Sequence, residues 1–194
     1  MRALSSLVAV LLVLALAAPP PACGIERWPV KTMTDRARDS VDLAPVPASI
    51  DSLRQLHAPD VRHAADRAAP AEYRVFMVRA VVLGWKLESD ADVHIVLASA
   101  ADTTKTMIAE IPSLGCMRRA GSRLQAGAAQ ARRVATNQLG TPTAHFTRFR
   151  QHPVAIVTGV GFFDFIHGQT GVAPNGIELH PVLAIAFVSS GHRT

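Results

Sequence analysis

The sequence predicts a mainly β domain: a small five-stranded barrel with one amphipathic helix between its third and fourth strands. Three observations predict it. β-rich runs separated by short turn-forming segments recur from residue 73 to residue 188. A single stretch, 117–136, switches to a repeat of three to four residues. The first β-run is unusually long and carries a glycine near its end, where a strongly bent strand would place one.

Each element follows from local chemistry. Residues 73–87 (YRVFMVRAVVLGWKL) form the long first strand, bent at Gly84. The turn ESDAD leads into VHIVLAS, where Val93, Ile95 and Leu97 alternate with other residues. AADTTK leads into TMIAEIP, which Pro112 stops. In 117–136, Met117, Ala120, Leu124, Ala128, Ala131 and Ala135 make an apolar stripe with five arginines off it. Gly121 and Gly127 weaken that helix by about 1 kcal/mol each relative to alanine. After LGTPTAH come the fourth strand, 152–164, and the fifth, 177–188. The order β-β-β-α-β-β is that of the OB-fold, a partly open Greek-key barrel.

Ahead of the barrel, three segments are expected: a signal peptide (1–22), an extended arm (23–72) and the barrel domain (73–190). Arg2 followed by LVAVLLVLALAA and small residues matches a secretory signal, too short to span a membrane. No other run is long enough to span one, so the mature form has no predicted transmembrane segment. In the arm, SIDSLRQL combines a capping Ser49 or Asp51 with Ile50, Leu53 and Leu56 at helical spacing, which predicts one short helix. The chain has two cysteines. In an oxidising compartment Cys23 and Cys116 pair, closing a long loop. The alternative, a lipoprotein anchored through Cys23, has PPA before the cysteine in place of a Leu-small-small triplet. The expected location is secreted or periplasmic.

The net charge of +5 comes from arginine clusters at MRRAGSR, ARR and FTRFR. Basic charge suits nucleic acid or an anionic surface. An alanine- and arginine-rich composition gives the same charge with no such partner. OB barrels bind single strands with exposed aromatics and a basic groove. Trp85, Phe162, Phe163 and Phe165 are the available platforms, but aromatics are only 5% of residues and the two expected binding loops are acidic or neutral. Nucleic acid is therefore a possible partner that the sequence does not favour.

Four stretches, CGIERWPVKTMTD, WKLESDADVHIVL, TMIAEIP and GFFDFIHGQTGVAPNGIELHPVLAI, together resemble a family of small secreted bacterial proteins carrying a GFFDFxHGQTGVAPNGIELHPV-type C-terminal motif. The resemblance spans Cys23 to Phe187, apart from the arginine-rich helix and much of the arm. It implies export and a compact β-rich domain. It supplies no catalytic residues.

The candidate site comes from the residues alone. Glu178 and His180 lie two apart on the fifth strand and share a face. Asp164 and His167 leave the fourth strand. These four are the candidates for acid–base chemistry. Asp90, Asp92 and His94 share a period-two relationship around the first turn, and with Gln169 and Asn175 they are the ligand-binding candidates. Glu110 sits in the third strand. In an OB barrel the loops after strands one and four flank the binding face. A metal reading would use His94, His167 and His180, but no HxH or HExxH spacing is present, so no metal ligand and no cofactor are assigned. A phosphodiester hydrolase lacks an identifiable nucleophile or phosphate-cradling loop. The structural reading makes Glu178 and His180 a hydrogen-bonded pair, with glycines and Asn175 shaping the loop. The sequence favours an exported, non-enzymatic binding or interaction module.

Overall fold

The computed structural model describes residues 23–24, 26–62 and 64–188. The predicted signal peptide and the last two residues of the predicted barrel domain lie outside the described residues. The elements are α1 (Trp28–Lys31), β1 (Asp42–Ala48), α2 (Ile50–Leu53), β2 (Arg74–Leu87), β3 (Val93–Ala98), β4 (Thr106–Ile111), α3 (Ser122–Leu139), β5 (Thr147–Arg148), β6 (Val154–Phe163) and β7 (Ile177–Phe187).

Strand β2 is long enough to serve two partners. Its first half pairs antiparallel with β6, from Val75 opposite Val160 to Val81 opposite Val154. Its second half pairs antiparallel with β3, from Val81 opposite Ala98 to Leu87 opposite Val93. The register slips between Val82 and Gly84, so the predicted bend is a bulge. β3 pairs antiparallel with β4, β4 parallel with β7, and β7 antiparallel with β6. That ring closes the sheet on itself. With α3 between β4 and β6 and a parallel pairing of the third and fifth barrel strands, the fold is the expected OB-like barrel. Val93, Ile95 and Leu97 of β3, Met107, Ala109 and Ile111 of β4, and Ile177 and Leu179 of β7 fill the interior.

Helix α3 starts later than its apolar stripe predicts. Residues 117–119 are turns and 120 a bend, and Gly121 precedes the helix with a φ of +93°, outside the helical region. Met117 and Ala120 are buried all the same. The C-terminal limit moves out to Leu139. Ala128, Ala131 and Ala135 are buried, and a Cβ at Gly127 would lie 2.9 Å from the Leu183 carbonyl oxygen. The small residues let the helix lie close on β7, so Gly127 gives close packing where the sequence reading saw only a weakness.

The segment expected as an extended arm with one short helix holds more structure. Ser49 caps α2 as anticipated, with a reciprocal capping box to Ser52. The segment also carries α1 and the strand β1, which pairs parallel with β2. Pro45 and Pro47 hid β1 from sequence reading, because proline is confined to strand edges, and β1 is an edge. The Cys23–Cys116 disulfide is present. With Cys23 Sγ in that bridge, the lipid-anchored alternative has no thiol to use. Among the described residues no helix is long and apolar enough to cross a membrane.

Candidate functional site

Alternation along β3, β4 and β7 sends one set of side chains into the barrel and the other to its outer wall. Register then builds the site. His94 stands opposite Glu110 across β3 and β4. The parallel β4–β7 pairing sets Ile108 beside Glu178, and β6 sets Phe162 beside Glu178. The outer wall therefore carries His94, Glu110, Glu178 and His180 side by side, with Asp92 just before β3. In OB barrels the outer face of the second and third strands, here β3 and β4, is the usual ligand face.

That face is covered by the chain itself. Arg27, just before α1, makes a two-pronged ion pair with Glu72, at 2.7 Å from each carboxylate oxygen, and donates to the Phe163 carbonyl. Its guanidinium lies 4.8 Å from the Phe162 ring centroid. Lys31 Nζ, from the end of α1, reaches over the same ring at 5.3 Å and lies 3.6 Å from Asp164 Oδ2. Asp35 holds Arg67 in a second buried pair. From the other side, loop 164–176 brings the Thr170 carbonyl onto His94 Nε2 at 2.9 Å and lays Gly171 against Val96.

Beneath this cover the acids and imidazoles converge. His180 Nδ1 is 3.2 Å from Glu110 Oε2 and 3.3 Å from Glu178 Oε1. His180 Nε2 faces Asp92 Oδ2 at 3.4 Å. His94 Nδ1 is 3.0 Å from Glu110 Oε1 and 3.4 Å from Glu88 Oε1. His180 is wholly buried, and Asp92, His94 and Glu178 nearly so.

Burial and mutual charge set the protonation states. Burial opposes charge on His180, but contacts with Asp92, Glu110 and Glu178 outweigh it and hold its pKa well above the usual imidazole value. Burial likewise opposes charge on His94, and Glu110 and the Thr170 carbonyl win. Burial would raise the Glu110 carboxyl; the two histidines pull it well below its usual range. Burial, reinforced by the charge of Glu110, pushes Glu178 up to about 7. Burial also raises Asp92. Lys31 is desolvated, yet Glu178, Glu110, Asp164 and Asp92 keep its pKa above the ordinary amine value.

The sequence-identified residues divide into three groups. Glu178 and His180 pair as expected, and Asp92 and His94 join them. Asp164 and His167 stand at the edge: His167 Nε2 is 3.8 Å from Asp164 Oδ2 and its side chain is half exposed. The remaining residues serve the chain's own loops. Asp90 accepts the Asp92 N–H. The Gln169 amide donates to Asp164 and to the Phe165 carbonyl, and its oxygen accepts the His167 N–H. Asn175 donates to the carbonyls of Leu53 and Leu56, tying the loop to the end of α2. Sequence reasoning assigned no role to Glu110 or Lys31. Glu110 was visible as an acid in a strand, but only the β3–β4 register places it at the centre. Of the aromatic platforms, Trp85, Phe162 and Phe163 are buried, while Phe165 stacks on His167 at 4.7 Å.

The arrangement can hold protons or a cation, and it can hold the arm. His180 and Glu178 are buried among the described residues. Two surface cavities, of about 550 Å³ beside Arg79, Gln138 and His152 and about 180 Å³ between Leu43, Leu124 and Leu183, contain none of these residues.

Neither a family model nor a curated protein matches the chain. A solved structure of a protein assigned as an aspartyl-tRNA synthetase from Leishmania major Friedlin is similar at 13% identity and a TM-score of 0.42, covering 80% of this chain and 23% of that one. This chain thus corresponds to less than a quarter of that protein's length. The OB-like assignment rests on the strand pairing described above.

Proposed function

We propose that the chain is an exported, non-enzymatic OB-barrel module for binding or interaction, belonging with the small secreted bacterial proteins its motifs resemble. One observation carries the reading: the acid–histidine cluster is sealed beneath the chain's own N-terminal segment. A catalytic base needs hydrogen-bond reach to a substrate proton. Here Lys31 and Arg27 lie over the Phe162 ring, which stands beside Glu178, and the Thr170 carbonyl takes His94 Nε2. Contact with a partner then falls to the rim, where Ile166 and His167 project from a loop braced by Gln169. Rigid, exposed loops are suited to recognition. The usual nucleic-acid face is acidic and covered, which argues against single-strand binding there.

The test is an assay on full-length exported protein with bis-p-nitrophenyl phosphate and with single-stranded DNA and RNA, each with and without divalent cations. No turnover is expected, and no retention of the strands at low salt. Turnover that His180→Gln abolishes would overturn the non-enzymatic reading. Salt-sensitive retention would reassign the partner class to nucleic acid. Mass spectrometry of the mature N-terminus tests export separately: cleavage before Cys23 is expected, and an intact Met1 start would contradict it.

A further inference from the structure

Asp92 Oδ2 and His180 Nε2 are buried side-chain atoms without a hydrogen-bond partner among the described residues. They face one another at 3.4 Å. Each residue's other polar atom is committed elsewhere. Asp92 Oδ1 accepts the Ser113 N–H at 2.6 Å, and His180 Nδ1 lies 3.3 Å from Glu178 Oε1. A positive charge must lie between Nε2 and the carboxylate: either a proton on Nε2, in keeping with the raised His180 pKa, or a metal ion that displaces that proton and takes the Nε2 lone pair.

The spacing fits a metal ion. Tetrahedral bonds of about 2.0–2.1 Å put neighbouring ligand atoms roughly 3.3–3.4 Å apart. Glu110 supplies a third donor, since Asp92, Glu110 and His180 each offer a ligand atom within 4.8 Å of the others. Glu178 Oε1, at 3.3 Å from Nδ1, then shares with Glu110 Oε2, at 3.2 Å, the outer position that a ligating imidazole commonly has, a carboxylate on its second nitrogen. Lys31 and Arg132 act on Asp92 through their charge, but their contacts lie elsewhere. Lys31 lies at Asp164 and over Phe162, and Arg132 donates to the Ala91 carbonyl. The neighbouring group of Glu88, His94 and Glu110 is different, because both His94 nitrogens have partners in Glu110 and the Thr170 carbonyl.

We propose that Asp92, Glu110 and His180 hold one divalent transition-metal ion through one nitrogen and carboxylate oxygens, with Glu178 orienting His180. That donor set suits Zn²⁺ or Mn²⁺ over Mg²⁺ or Ca²⁺, which take oxygen ligands. An ion so enclosed is structural and leaves the non-enzymatic reading intact.

The experiment measures metal content of the full-length exported protein as purified, then after chelator dialysis and re-equilibration with Zn²⁺, Mn²⁺, Mg²⁺ or Ca²⁺. Thermal unfolding is followed alongside. One equivalent of Zn²⁺ or Mn²⁺ is expected, with a higher melting temperature than the chelated protein. Asp92→Asn should weaken binding at least about tenfold and Glu178→Gln about 10–100-fold, while His167→Ala leaves it unchanged. Absence of stoichiometric uptake by wild type overturns the proposal. So does binding unaffected by Asp92→Asn, or lost with His167→Ala. If Asp92→Asn fails to fold, Co²⁺ in the wild type decides: intense visible bands of a four-coordinate N/O site support the assignment, and a weak octahedral spectrum contradicts it. The hydrolysis assay is read separately, so failure of one reading is not mistaken for failure of the other.

Discussion

Glu72 fastens the N-terminal segment to the barrel. Its two oxygens take both Arg27 guanidinium prongs and the N–H groups of Ala68 and Phe163. The pair is buried, so removing one partner leaves an uncompensated charge. Arg27→Ala should cost about 3–5 kcal/mol in denaturant unfolding; a loss under about 1 kcal/mol would mean that the arm is not seated there. This pair was invisible in the sequence because its members lie 45 residues apart and share no local period. Glu178 and His180 were legible for the opposite reason, since two residues on one strand must share a face.

At the level of elements, the barrel strands were readable because each is a short apolar run ended by turn residues. β1 was not, because two prolines remove the pattern that marks a strand. The loop of 164–176 was read as shaped by its glycines, but its anchorage was not. Asn175 joins it to the carbonyls after α2, a contact no local motif announces. Asn175→Ala leaves both carbonyls without that donor and should destabilise by about 1–3 kcal/mol, measured by urea unfolding; an unchanged midpoint would contradict the anchoring role. The disulfide was deducible by counting cysteines. Replacing both with serine should cost about 2–4 kcal/mol in the same assay, with the fold retained because Arg27 and Lys31 still hold the arm. Collapse of the barrel would contradict that division of labour.

For the whole molecule, the cluster couples folding to protons. Glu178 is raised from 4.5 to about 7, and His94 and His180 are raised above 6.5. Groups raised on folding take up protons, so their stabilisation is present at low pH and is lost as pH rises through the folded values. Glu110 is depressed, and its contribution is lost as pH falls below about 4.5. Stability should therefore peak in mild acid and fall steadily towards pH 9 in thermal melts; a profile that rises from about pH 6 to 9 would contradict the assignment.

The chain's own arm covers the barrel's usual binding face. The chain has three lysines: Lys31 in the arm, Lys86 and Lys105. Their side chains are 15%, 30% and 47% exposed respectively. Timed acetylation of the native protein, read by peptide mass spectrometry, compares them directly. Lys31 should stay unmodified until the protein is denatured while Lys105 reacts at once. Lys31 reacting as fast as Lys105 in the folded protein would place the arm off the face and contradict its coverage of the barrel.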